Sequence, residues 1–326
     1  CGVAEEIFED AGEQKVDLME EDFTASLRIY GAGGMRERVF EVLDLMSELI
    51  YTLSSDSLEA VRETFTKHLS LRASLVDIDA EVGGCAACSR SLRSIDLEDS
   101  ELVEMLEQID GIARVGEKQA QAFDAFKGWL SRNGPHDVVV DGANVGFFNA
   151  RPDQGDSLSY AQVHRVVQWF QQRNQKPLLV MHCRHFSDSA KMSGADREKV
   201  EMWKRQKILY STPAKMNDDW FWLFAGVWAT KQAKKGTHVY MVSNDQMRDH
   251  HFQMLSTRNF LKWRERHWVN FFFADKSHSS EPSFAMPSKH SIRTQRATPD
   301  RKDLWHFPSS DKVGQWLCCS QEGPPQ

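Results

Sequence analysis

No uninterrupted apolar stretch in these 326 residues is long enough to cross a membrane, which takes about 20 residues as a helix, and no apolar signal opens the chain. Cysteine is scarce. The six cysteines, at positions 1, 85, 88, 183, 318 and 319, do not space as a disulfide framework. A chain of this length has no need of one, so a reducing compartment fits better. An initiating Met is also missing. Residue 1 is Cys, so a fragment or processed chain is expected, with room upstream for a targeting segment. Net charge is −7 but uneven: residues 1–136 carry 13 Lys+Arg against 28 Asp+Glu, and residues 137–326 carry 27 against 19. The basic second half favours a polyanionic substrate.

The second half also holds the most informative stretch, DVVVDGANVGFFN over 137–149. Three valines between aspartates, ended by Gly142, predict a buried parallel strand leaving at Asp141. Ligands of open α/β sheets bind beyond the carboxyl ends of strands, so Asp141 is placed to hold a metal ion or, alternatively, to cap the next turn. Two further stretches add acids. Asn217-Asp218-Asp219 opens the apolar run WFWLFAGVW, a buried helix, and a strand over 238–242 ends in Ser243-Asn244-Asp245, with Asp249 four residues on at the start of an expected helix. Carboxylates brought together repel unless a cation lies between them. Oxygen ligands with no His or Cys cluster nearby suit Mg2+ or Mn2+ and metal-assisted phosphoryl chemistry.

DVVVDGANVG, NDDWFWL and VSNDQMRDHHF, in this order, together with CAACSRSLRSIDL upstream and WHFP…WLC near the end, resemble the NYN/PIN-like metallonuclease of protein-only RNase P, from about Val76 to Cys318. The resemblance implies a Rossmann-like α/β nuclease domain that removes the 5′ leader from precursor tRNA, leaving 5′-phosphate and 3′-hydroxyl. Asp141, Asp218, Asp219 and Asp245 would hold one or two Mg2+ (or Mn2+) ions, with Asp249 assisting and Asn144 and Asn217 orienting carboxylates or waters. A PIN-like endoribonuclease acting on another structured RNA, and an inactive RNA-binding repeat protein, are the alternatives. The proposed carboxylates are all present, which argues against the inactive reading. No membrane partner is implied. The location, mitochondrion, plastid or nucleus, stays open while the N-terminal segment is missing.

Read in order, residues 1–75 look like the end of an α-helical repeat region. FTASLRIYGAGGMRERVFEVLDLMSE has helical apolar spacing broken at Gly31 to Gly34, similar to one pentatricopeptide repeat, and SLEAVRETFTKHLSL reads as a further helix. Residues 76–136 are expected to form a central zinc module, residues 137–274 the nuclease, 275–299 a loop returning to the zinc module, and 300–326 a last segment and tail. Cys85-x-x-Cys88 is a zinc half-site or a redox pair, and no thioredoxin-like strand precedes it. The resemblance supplies the completing pair, His306 in LWHFP and Cys318 in QWLC, with Cys319 a neighbouring alternative. Arg184 and His185, after the strand LLVMH, are expected on the rim of the acidic site, and the tryptophans of apolar runs, such as Trp220, Trp222 and Trp228, in the core.

Overall fold

The computed structural model describes residues 18–79, 82–150, 157–187, 192–234, 237–245, 247, 257–274, 280–298 and 300–321. Asp249 and the helix turn expected around it lie outside the described residues. The chain divides into two compact units, 1–95 with 288–326 and 96–287.

The first unit begins with a helical hairpin, α1 (Glu20–Ala32) and α2 (Arg36–Leu49), followed by α3 (Ser55–Glu63). Phe23, Leu27 and Tyr30 on α1 meet Val39, Phe40, Leu43 and Met46 on α2 in one buried cluster, which is what the i, i+3, i+4 spacing requires. The Ser54 hydroxyl caps α3 by accepting the Ser57 amide. Strands β1 (Arg72–Asp77), β10 (Gln295–Arg296), β11 (Trp305–Pro308) and β12 (Gln315–Ser320) make an antiparallel sheet in the order β1-β12-β11-β10. A small hairpin, β2 (Gly84–Cys85) with β3 (Arg90–Ser91), completes the unit. Alternation along β12 sends Leu317 and Cys319 into the helical cluster and Trp316 and Cys318 into a second one with Cys85, Cys88 and Leu304. The sheet is therefore a wall with apolar packing on both faces, and full burial of each Phe or Leu is worth roughly 1.5–3 kcal/mol.

The second unit is a three-layer α/β domain. Its elements are α4 (Asp99–Ala113), α5 (Glu117–Asn133), β4 (Val138–Asp141), α6 (Gly142–Gly146), α7 (Tyr160–Gln171), β5 (Pro177–His182), α8 (Gly194–Arg205), β6 (Leu209–Thr212), α9 (Asp218–Gln232), β7 (Tyr240–Val242), α10 (Thr257–His267), β8 (Trp268–Phe273) and β9 (Pro282–Ala285). The sheet order is β6-β5-β4-β7-β8-β9, parallel throughout except for β9 at one edge. Val139 points into one layer with α4, α5, α9 and α10, whereas Val138 and Val140 point into the other with α7 and α8. α9 is buried all round, which is why its sequence shows no polar stripe. A Cβ on Gly226 would come within 2.9 Å of the Trp263 ring, so glycine here lets α10 pack close. Trp220 and Trp222 are core residues and Trp228 is partly buried against the same cluster.

Two boundaries differ from those expected. Residues 99–133 fall in the second unit, where Leu102, Met105, Phe123 and Phe126 pack on α9, whose apolar circumference needs cover. The division falls after Ile95, inside the span 76–136. The segment expected as a loop over 275–299 contains β9 and β10. Its Ser and Pro content hid strands of two to four residues that gain their stability from β8 and β11 rather than from intrinsic propensity.

Candidate active site and metal centre

β4 is where the strand order reverses: β5 and β6 follow on one side of it and β7 and β8 on the other. A crevice opens beyond the carboxyl ends of strands at such a point. Here it is a cavity of about 960 Å3 whose lining includes Asp141, Asp218, Asp219 and Asp245. Asp141 ends β4, Asp218 and Asp219 form the first turn of α9, and Asp245 follows β7. Gly142 lets the chain turn at once after Asp141, since a Cβ there would come within 2.4 Å of Met181.

Asp141 is buried, with 4% of its surface exposed. Its Oδ1 accepts the Asn144 amide at 3.1 Å and its Oδ2 accepts the Ser243 hydroxyl at 2.9 Å. The turn-capping role and the site role thus belong to one side chain. Burial first, then the neighbouring Asp219 and Asp218 charges, push its carboxyl up to about 8. Asp219 is pushed up to about 6, by burial first and then by Asp218 and Asp245. Four carboxylates acting on one another in this way describe a site short of positive charge. A divalent cation fits it: the donors are hard oxygens, and their side chains are already oriented.

Asn217 caps α9 by accepting the Asp219 amide at 3.0 Å. The Asn144 side chain accepts the Asn244 amide at 2.8 Å. Asn244 in turn donates to the Phe271 carbonyl at 2.8 Å and accepts the Phe271 amide at 3.1 Å. Ser243 and Asn244 were not singled out from the sequence. Their signal was the polar Ser-Asn-Asp triplet at a strand exit, which the structure turns into a scaffold linking β4, β7 and β8.

Two basic side chains and a histidine edge the acids. Arg184, Lys215 and His182 line the same cavity. Arg184 and Lys215 are exposed. His182 Nδ1 accepts the Arg184 amide at 3.0 Å. His185, also expected on the rim, accepts the Arg184 guanidinium at 3.3 Å through Nε2 and packs its ring edge-on to Phe147, both of them cavity-lining residues. Burial and Arg184 lower its pKa to about 4. Lys215 and His182 carried no motif signal in the sequence.

The first unit holds a separate cluster. One ligand atom each from Cys85, Cys88, His306 and Cys318 lies within 4.8 Å of the others, and all four residues are buried. His306 and Cys318 are direct partners across the β11–β12 ladder, and Cys88 Sγ is 3.4 Å from His306 Nε2. Cys319 faces the helical cluster with Trp305 and is held protonated by burial. Three thiols and one imidazole at this spacing fit a closed tetrahedral zinc site. Although burial opposes it, hydrogen bonds to Cys85 and Cys88 raise His306 to about 9. Hydrogen bonds from Cys318 and Cys88 push the Cys85 thiol well down, so the cluster favours a thiolate, the ligand form.

Residues 79–322 match the family described as protein-only RNase P. Proteinaceous RNase P 1, chloroplastic/mitochondrial, of Arabidopsis thaliana is 32% identical over 253 residues, covering 75% of this chain and 41% of that protein. Proteinaceous RNase P 2 of Arabidopsis thaliana is 27% identical, covering 98% of this chain and 66% of its own length. The mitochondrial ribonuclease P catalytic subunit of Mus musculus is 24% identical over 74% of this chain and 41% of its own length. The chain thus spans between 41% and 66% of the length of these curated relatives. The crystal structure of nuclear proteinaceous RNase P 2 from A. thaliana superposes with a TM-score of 0.74 at 26% identity, covering 98% of this chain and 72% of that one. With the α/β domain, the Cys/His cluster and the helical N-terminal region all within the matched architecture, the chain belongs to the protein-only RNase P family.

Proposed function

We propose that the chain is a metal-dependent endoribonuclease that removes the 5′ leader of precursor tRNA. The observation that carries this reading is the convergence of Asp141, Asp218, Asp219 and Asp245 in one open cavity at the switch point of the sheet, with Arg184 and Lys215 on its lining. The names of the curated relatives support the substrate class.

The four aspartates would hold one or two Mg2+ or Mn2+ ions, with Asp249 as an additional carboxylate. When bound, a divalent cation at this place supplies Lewis acidity and makes a bound water more acidic. The remaining work belongs to the chain. Asn217 fixes the first turn of α9, and Asn144 fixes the segment after β7, so the acids cannot swing apart. Arg184 and Lys215 offset the charge of backbone phosphates entering an otherwise acidic cavity. The Ser243 hydroxyl is engaged with Asp141 and with the Asp245 amide, so it is not available as a nucleophile. Water then attacks phosphorus and the 3′ oxygen of the leader leaves, which gives 5′-phosphate on the tRNA and 3′-hydroxyl on the leader.

The Cys85, Cys88, His306 and Cys318 cluster would hold one structural Zn2+. We read α1 to α3 as the end of a repeat region that contacts the folded tRNA, because structured RNA is recognised largely by shape and backbone. The test is incubation with precursor tRNA and Mg2+, with both product ends mapped. A 2′,3′-cyclic phosphate on the leader would overturn the water mechanism. Cleavage of another structured RNA with no cleavage of precursor tRNA would favour a different PIN-like endoribonuclease.

A further inference from the structure

A second cleft of about 710 Å3 adjoins the catalytic cavity. Its lining includes Glu107, Gly111, Ile112 and Val115, from α4 and the turn after it, and the mostly buried Trp220 of α9. Asn217 lines both this cleft and the catalytic cavity, so the two are neighbours across the start of α9. Val115 is 75% exposed although it is aliphatic. A Cβ built on Gly111 meets nothing within 4 Å, so the helix leaves open space there.

The chemistry of the cleft differs from that of its neighbour. Its lining is mostly apolar and its one charged side chain is a carboxylate, so it repels phosphate. It fits an uncharged flat group with an edge that can donate to Glu107. An unpaired nucleobase has that character, and unstacked bases of single-stranded RNA are taken up on aromatic and apolar surfaces.

We infer that this cleft binds the base of the last leader nucleotide, the one immediately 5′ of the scissile phosphate. The inference rests on the tRNA-leader reading above. On that reading the nucleotide on the 3′ side of the cut is paired in the acceptor stem, so its base is not free. The leader base is the unpaired one nearest the metal-binding acids, and Asn217 is common to the two cavities.

Gly111→Leu separates this role from a structural one. Removing a helix-interior glycine leaves the fold as stable or more stable, while the new side chain fills the cleft. The parent and the variant are assayed with precursor tRNA that is intact or abasic at the last leader position. Loss of a stacked base is expected to raise KM for the parent by about tenfold. Gly111→Leu should raise KM for the intact precursor by a similar factor with no fall in Tm, and should show no further rise with the abasic precursor. Equal KM for intact and abasic precursors, an unchanged KM for Gly111→Leu, or effects that multiply would each overturn the inference. A parent that cuts no precursor tRNA at all defeats the leader reading and this inference together. A parent that cuts but ignores the missing base defeats this inference alone.

Discussion

A single hydroxyl ties Asp141 to Asp245: Ser243 donates to the Asp141 carboxylate at 2.9 Å and accepts the Asp245 amide at 3.0 Å. An acid that ends β4 and one that follows β7 are thereby held in one relative position. Ser243→Ala should cost about 0.5–1.5 kcal/mol of stability, as for a buried hydrogen bond. It should also raise the Mg2+ concentration needed for half-maximal cleavage while leaving RNA affinity unchanged. A Mg2+ titration of single-turnover rates reads this directly, and an unmoved midpoint would mean the hydroxyl only fills space.

Asp141→Asn, Asp219→Asn and Asp245→Asn should each abolish cleavage and leave RNA binding largely intact. The metal-free variants should melt no earlier than the parent, because each removes a charge from a mutually repulsive group. Differential scanning calorimetry in EDTA, beside a filter-binding assay, checks both halves. Early melting would make these acids structural caps first and metal ligands second.

The same charges give a pH signature. Asp141 is raised from its ordinary 3.8 to about 8 in the fold, so the folded state holds its proton more tightly than the unfolded chain does. Its unfavourable contribution is absent below about pH 4 and grows as pH rises toward 8, with a slope of at most about 1.4 kcal/mol per pH unit. Asp219 adds a narrower window, between 3.8 and about 6. Metal-free protein should therefore lose Tm between pH 5 and 8, Mg2+ should restore it most at the alkaline end, and Asp141→Asn should flatten the profile. Superimposable melting profiles for parent and variant would refute the burial argument.

Arg184→Ala and Lys215→Ala should weaken precursor binding evenly across sequences and each lower the salt dependence of affinity by about one phosphate contact. The double variant is the control for additivity. A change in kcat at saturation with no change in salt slope would place these groups at the reacting atoms instead.

Purified protein should contain about one zinc per chain. Cys85→Ser should lose it and expose the last strands to protease, whereas Cys319→Ser should keep it, since that thiol faces the helical cluster. Folded parent protein free of zinc would end this assignment.

Much of the acidic site was legible in the sequence because each acid follows a local signal: an apolar run ended by Gly142, a helix opened by Asn217, a strand ended by Asp245. What was not legible depends on distant partners. Lys215 reaches the cavity only because β6 ends beside β5. Asn244 matters only because β8 lies alongside β7. The place of α4 and α5 in the second unit is hidden in the sequence for the same reason. Their amphipathic spacing announced a buried face but not that the all-apolar α9 would be what covers it. The choice between Cys318 and Cys319, open in the sequence, follows from strand alternation once His306 is seen opposite Cys318.

That adjacency of thiols has a cost for the identity of β12. Sliding the strand by one residue would bring Cys319 opposite His306, and the metal would meet the same sulfur donor as before. A zinc ion held there would not discriminate against a slip of one residue. Discrimination falls to the neighbours: the slip would put Leu317 where Trp316 packs and Ser320 where Cys319 sits buried among Trp305 and Phe307. In this protein the apolar side chains proofread the pairing on which any ion held by the cluster would depend.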